Sequence, residues 1–238
     1  LDANTSGDYN TVVGAGALGS NEDGSYNTAL GASAGIFRTG NYYCTYLGAD
    51  AYTSSEGLNN VTAIGYDCRP GSSDQVRLGN SSVTLICGYA DWTNLSTDRT
   101  FHTNVRENVA GLDFILKLHP VTYQLNMEKL SSDLGEDEER ISEDDLNTAG
   151  HSELTLESRN KKAAIVYTGF IAQEVEDAAR SIGYDFSGVD APENAGEQYG
   201  LRFAEFVVPL VKAVQEQQAM IRALQQQVAE LQEEVKRE

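Results

Sequence analysis

The sequence predicts a mixed fold in three parts: a β-solenoid or interleaved β-prism over residues 1–90, an α+β domain over 91–206, and a coiled coil over 207–238. Three observations predict it. A 17-residue repeat fills the N-terminal part, the composition changes abruptly at Ser96–Val105 (STDRTFHTNV), and the C-terminal segment places apolar residues at steps of three and four.

The repeat comes from laying YNTVVGAGA, YNTALGASA, YCTYLGADA and NVTAIGYDC over one another. Thr falls at 11, 28, 45 and 62, an aliphatic at 13, 30, 47 and 64, Gly at 14, 31, 48 and 65, and a small residue at 17, 34, 51 and 68, so each step is 17. The aliphatic–Gly pair indicates a short strand whose Gly lets a neighbouring backbone approach closely. One unit fully extended would reach roughly 56 Å at about 3.3 Å per residue, so each must turn; two short strands per unit are expected, with turns at SGD, EDG, RTG and SEG. A unit with one aliphatic and several Ala or Gly buries little, at roughly 25 cal/mol per Å². Stacking, and association of several chains, must supply the rest. From Arg69 to Gly88 the register fades: Gly79 and Gly88 break step and Pro70-Gly71 makes a turn. QVRLGN and SVTLICG are expected as the closing strands of a capping unit. These repeats resemble the head and stalk repeats of trimeric bacterial adhesins and phage tail fibres.

Composition excludes several functions. A formal net charge of −19 repels nucleic acid and anionic membranes, so neither is expected as a partner. No run of 18 apolar residues spans a bilayer. The chain opens on Leu1 without a charged-then-apolar leader, and is expected to start inside a longer protein. Cys44, Cys68 and Cys87 form no CxxC pair, so neither zinc nor a disulfide framework is indicated. Gly14, Gly16 and Gly19 have the spacing of a dinucleotide fingerprint, but SNEDGSYN follows instead of a helix and Gly14 already belongs to the repeat column. No cofactor is expected.

After the seam, Val109, Leu112, Ile115, Leu116 and Leu118 give a helical face that stops before Pro120, and Val121, Tyr123 and Leu125 alternate as a strand. Ile171, Val175 and Ala178 share one helical side. Between Glu128 and Asn160 lie 11 acidic and three basic residues (Lys129, Arg140, Arg159), including GEDEERISEDD. This insert, 128–160, is expected to be a solvated face; it lacks the D-x-D-x-D-G spacing of a calcium loop. In the last helix Val207, Leu210, Val214, Gln217, Ile221, Leu224, Val228, Leu231 and Val235 follow a heptad.

The blocks DR-x-x-x-x-N in the seam, HPVTY, GFIAQEVE and Leu-Val-x-Ala-Val-x-Glu, in that order, resemble the intramolecular chaperone domain at the C-terminus of phage endosialidases, tail spikes and neck fibres, the S74 peptidase family. The resemblance covers about residues 96–238. It implies a domain that trimerises a β-rich fibre during folding and then cuts itself off. It also implies three strands for the coiled coil, although branched residues at a and Leu at d favour two by the parallel rules.

In that family the cut lies beside a serine in a Ser-Asp pair, with a lysine five residues on as general base. Asp98 matches the aspartate here, but Thr97 stands at the serine position and His102 at the lysine position. Thr97, Asp98 and His102 are therefore degenerate catalytic positions, and cleavage is expected to be lost or very slow. The simpler roles for Thr97 and Asp98 are a turn or helix N-cap, and for His102 a surface imidazole.

The function expected is a structural, extracellular one: the end of a homotrimeric fibre on a virion tail or a bacterial surface, with a retained chaperone domain that drives folding and caps the fibre. The alternative is an active self-cleaving peptidase. Partners would be the chain's own copies, an upstream fibre or particle component, and a cell-surface receptor or glycan. A glycan face is less expected than packing for Tyr9, Tyr26 and Tyr43, because they share a repeat column.

Overall fold

Each Thr-x-aliphatic-Gly segment forms one three-residue strand, and the strands stack parallel and in register. Thr11 stands opposite Thr28, Thr28 opposite Thr45, and Thr45 opposite Thr62. This computed structural model describes residues 2–36, 40–90, 92–93, 95–134, 136, 148–192 and 197–237, with backbone alone at 148–155. In chain order the elements are β1 (Thr11–Val13), β2 (Thr28–Leu30), β3 (Thr45–Leu47), β4 (Thr62–Ile64), β5 (Val76–Leu78), α1 (Leu112–Ile115), β6 (Val121–Tyr123), α2 (Met127–Asp133), α3 (Thr148–Ala163), β7 (Tyr167–Gly169), α4 (Ala172–Ser181), β8 (Val189–Asp190), β9 (Gly200–Leu201) and α5 (Val207–Val235). They fall into two compact units. One holds Leu1–Cys87, Gln124–Tyr167 and Asn194–Glu197; the other holds Gly88–Tyr123, Thr168–Glu193 and Gln198–Glu238.

The first unit is a parallel β-solenoid with strand order β1-β2-β3-β4-β5. The middle residue of each strand points inward: Ala29, Tyr46 and Ala63 are buried, whereas Val13, Leu30, Leu47 and Ile64 face out. The small-residue column explains itself, since Ala17, Ala34, Ala51 and Cys68 are all buried in the narrow interior. Each repeat carries one strand, not the two expected. Turns make up the rest of the coil; backbone bonds still join coil to coil there, Leu18 N–H to Ala34 O at 2.9 Å and Gly35 N–H to Ala51 O at 2.8 Å among them, and asparagine side chains add to these bonds. Asn10 Oδ1 accepts the backbone N–H of Asn27 at 2.9 Å while its Nδ2 donates to Gly24 O at 2.8 Å. Asn27 repeats this one coil on, accepting from Cys44 N at 2.9 Å and donating to Asn41 O at 2.7 Å. The turns also need left-handed backbone: Tyr9, Tyr26, Tyr43 and Asn60 have φ of 59, 61, 60 and 55°. The three tyrosine rings stack outside the coil, with centroids 4.8 and 5.2 Å apart. Arg38 and Thr39 of the expected RTG turn lie outside the described residues.

The fading register is a matter of spacing, not of space. Val76 stands opposite Thr62 and Leu78 opposite Ile64, so β5 follows β4 at a step of 14. Gly79, expected to be out of step, stacks on Gly65 as the next member of the glycine column and donates to Ile64 O at 2.7 Å. SVTLICG, expected as a closing strand, forms none; Val83 packs on Gly79 while Leu85 and Ile86 are exposed. The VVGAGALG segment opens no helix. Nor is the insert only a solvated face, since Ser131 of α2 is buried and the Glu136 side chain is enclosed. Its residues 135 and 137–147 lie outside the described residues.

The second unit is α+β. Phe114, Val175, Ala178, Ala179, Phe186 and Phe206 form its core, with ring centroids 4.8 Å apart for Phe114–Phe186 and 4.9 Å for Phe186–Phe206. The helix expected before Pro120 shrinks to α1, which buries Phe114 and leaves Leu116 exposed. The reason lies at its start: the Leu112 N–H donates to Glu216 Oε2 of α5 at 2.8 Å, so α5 caps α1 and sets which face turns inward. α4 buries Val175 and Ala178 as its pattern predicts, whereas Ile171 of the same expected side precedes the helix as its N-cap and is exposed. Among the described residues, no helix is long and apolar enough to cross a membrane.

One buried ion pair makes the solenoid sensitive to pH. Burial pushes the Asp67 carboxyl up to about 6, although Arg69, whose Nη2 lies 2.6 Å away, pulls it down. The folded state then binds this proton below pH 6 while the unfolded chain takes it up only near 3.8. The contribution of Asp67 to stability therefore rises as pH falls from about 6 towards 4. The urea midpoint of the parent should rise relative to that of Asp67→Asn over this window, and a side-chain carboxyl titration of Asp67 by NMR should show a midpoint near 6.

The glycine column sets a second expectation. A Cβ on Gly31 would sit 2.5 Å from the carbonyl of Gly48, and one on Gly48 would sit 2.6 Å from Gly65 O; both have φ of at least 134°. Gly31→Val or Gly48→Val should destabilise the solenoid by about 1–3 kcal/mol or more in a denaturant melt. Gly57 has φ of 69° and open space around it. Gly57→Asn should melt within about 0.5 kcal/mol of the parent.

Candidate functional site

The seam residues sit on two consecutive 3-10 turns, Leu95–Thr97 and Arg99–Phe101, with Asp98 between them. Asp98 is the N-cap of the second turn. Its Oδ1 accepts the Thr100 backbone N–H at 2.8 Å and the Thr100 hydroxyl at 2.7 Å, and these two donors hold its carboxyl below the usual range. The carboxylate is thereby committed to the turn. Thr97 closes the first turn, and the whole stretch from Leu95 to Asn108 is exposed.

His102 follows the second turn in extended backbone, with φ −95° and ψ 133°. Its Nε2 lies 3.0 Å from the carbonyl oxygen of Ser96. A carbonyl oxygen only accepts, so this contact needs Nε2 to carry the hydrogen. In that tautomer Nε2 is a donor and cannot take a proton from a hydroxyl. Nδ1 would be the remaining base. The structure thus brings His102 to Ser96, and Asp98 to Thr100, with the imidazole and the carboxylate serving different neighbours. Thr100 is the residue that sequence reasoning missed, because a threonine inside a turn looks like any other.

Elsewhere the described residues offer little chemistry. Among them no group of three His, Cys, Asp or Glu is placed to hold a metal ion. Of the acidic run GEDEERISEDD only Glu136 is described. Cys44 and Cys68 are buried free thiols, and burial pushes both up, away from the thiolate form; Cys87 is exposed.

Residues 97–184 match the family described as chaperone of endosialidase, Peptidase_S74. The match covers less than half of the chain and leaves the solenoid and α5 outside it. No curated protein and no solved structure matches the chain.

The cap at Asp98 can be tested by the protection it gives the next bond. Asp98→Ala frees the Thr100 N–H, so tryptic cleavage after the exposed Arg99 should speed up severalfold under native conditions. Asp98→Asn keeps an acceptor oxygen and should stay close to the parent rate.

Proposed function

We propose that this chain, whose residues 97–184 are a chaperone-of-endosialidase domain, is the end of a homotrimeric fibre. The solenoid is the shaft, and the domain with its last helix gathers three chains and stays attached. The last helix carries this reading. Leu210, Val214, Ile221, Leu224, Val228, Leu231 and Val235 recur along α5 at heptad spacing, and every one is exposed in the single chain. Such a stripe on a helix otherwise rich in Gln and Glu becomes stable when it meets the same stripe on another copy. The outward residues of the solenoid sheet support it: Val13, Leu30, Leu47 and Ile64 form an uncharged, exposed column in a chain of net charge −19. Three strands rather than two follows from the kinship of the domain and from the resemblance of the repeats. An upstream fibre or particle component, a surface receptor or glycan, and an extracellular setting rest on that resemblance alone.

Retention of the domain is favoured by the seam. A Thr hydroxyl needs a base to take its proton, and such assistance is worth about 10²–10⁴-fold in rate. The Nε2 of His102 is turned to Ser96 O instead. The self-cleaving reading has one observation in its favour, that the family match begins at residue 97 itself.

Sedimentation equilibrium at micromolar concentration should give three times 25.8 kDa, and the intact mass should show no species ending near Thr97. A monomer or stable dimer overturns the fibre reading; spontaneous cleavage at the seam overturns retention. Thr97→Ser combined with His102→Lys should produce a fragment ending at position 97 over hours. Truncation after Lys212 should lower the refolding yield of trimer more than the stability of trimer already formed, because registration of the chains precedes slow β assembly.

A further inference from the structure

The end of the solenoid is closed by residues that come after the seam. A parallel stack terminates in a coil whose backbone groups have no next coil to pair with. Here that coil runs through β5 to Ser81–Val83, and the groups that meet it come from the insert and from Lys162 just after it. The Ser81 backbone N–H donates to Glu136 Oε1 at 2.9 Å, and its hydroxyl donates to Glu136 Oε2 and lies 3.4 Å from Ser131 Oγ of α2. Lys162 Nζ, at the end of α3, donates to the carbonyls of Ser81 and Val83, both at 2.7 Å. Arg159 Nη2 lies 3.9 Å from Glu136 Oε2. This is an enclosed cluster: the Glu136 side chain is 3% exposed, and Ser81 and Ser131 are buried. A second strap comes from Ser72, whose hydroxyl donates to Glu197 Oε1 at 2.5 Å.

We propose that α2, α3 and Glu136 are the terminal cap of the solenoid, and that they act as a non-covalent tether which keeps the two parts of the chain together when the exposed segment between them is cut. Several features make the cap a tether. Its contacts are charge-assisted, and those of Glu136 are largely enclosed, so water and salt screen them less than a surface pair. They reach across 55 to 81 residues of sequence, from Ser81 to Glu136 and to Lys162, with the whole seam inside that loop. Removing residues beyond the seam would strip the cap from the last coil and leave the Ser81 N–H and two carbonyls without these partners. A break at the seam, by the chain itself or by an outside protease, therefore yields a nicked particle and not a released shaft. The proposal holds whether or not the fibre is trimeric.

The test uses the full chain with a site-specific protease recognition sequence inserted after the exposed Trp92. After complete cleavage, native gel filtration should return both fragments in one peak, and a denaturing gel of that peak should show two bands. In the same chain carrying Glu136→Ala and Lys162→Ala the cleaved fragments should elute apart. Fragments that separate in the cleaved parent overturn the proposal, as does a double variant whose fragments stay in one peak. If the double variant is insoluble, Lys162→Met alone leaves Glu136 on Ser81 and should lower the urea concentration at which the cleaved fragments part. An unchanged concentration overturns the proposal.

Discussion

Gly14, Gly31, Gly48 and Gly65 stand one above another with no room for a Cβ between successive coils, and that close backbone approach is what the solenoid depends on. Strands pair at about 4.8 Å, and at a tight turn only a residue without a side chain lets the next coil follow at that distance. Once the glycines are stacked, every other column must repeat as well. Small residues line the narrow interior, and asparagines bond coil to coil where three-residue strands end. The tyrosines are drawn into the left-handed region, where stacking on the next ring helps to hold them. The register even survives the loss of three residues in the last step, because Gly79 still finds Gly65.

A fold made this way has a narrow interior and a large surface, so much of its apolar material points outward. The solenoid shows it along Val13, Leu30, Leu47 and Ile64, and α5 shows it along its heptad stripe. Chains of net charge −19 repel one another, so two copies would approach most readily where charge is missing. Both uncharged stripes meet that condition. The second unit differs in kind. Its aromatic core of Phe114, Phe186 and Phe206 is closed within one chain.

At the seam the same residue types that could do chemistry are used to shape a turn. A carboxylate with two donors and an imidazole on a carbonyl are satisfied groups, and a satisfied group gains nothing by moving toward a hydroxyl. In the stretch where the family match begins, Asp98 and His102 thus serve the two turns.

The sequence by itself determined the period, the stacking of the repeats, the last helix and the family resemblance that the match over residues 97–184 bears out. All of these are written as repetition or as local pattern, and a period of 17 is legible without knowing what touches what. Only the tertiary structure decided that each unit carries one strand, that Gly79 keeps the column at a step of 14, and that α1 turns Phe114 inward under the cap of Glu216. It alone decided that His102 serves Ser96 O. Glu136 marks the limit most clearly. In a run of acidic residues it looks like its neighbours, and its burial on Ser81 comes from a contact across 55 positions. Periodicity reports which face of an element is apolar; it carries no record of which distant polar group will meet one carboxylate, because that choice depends on how the whole chain closes.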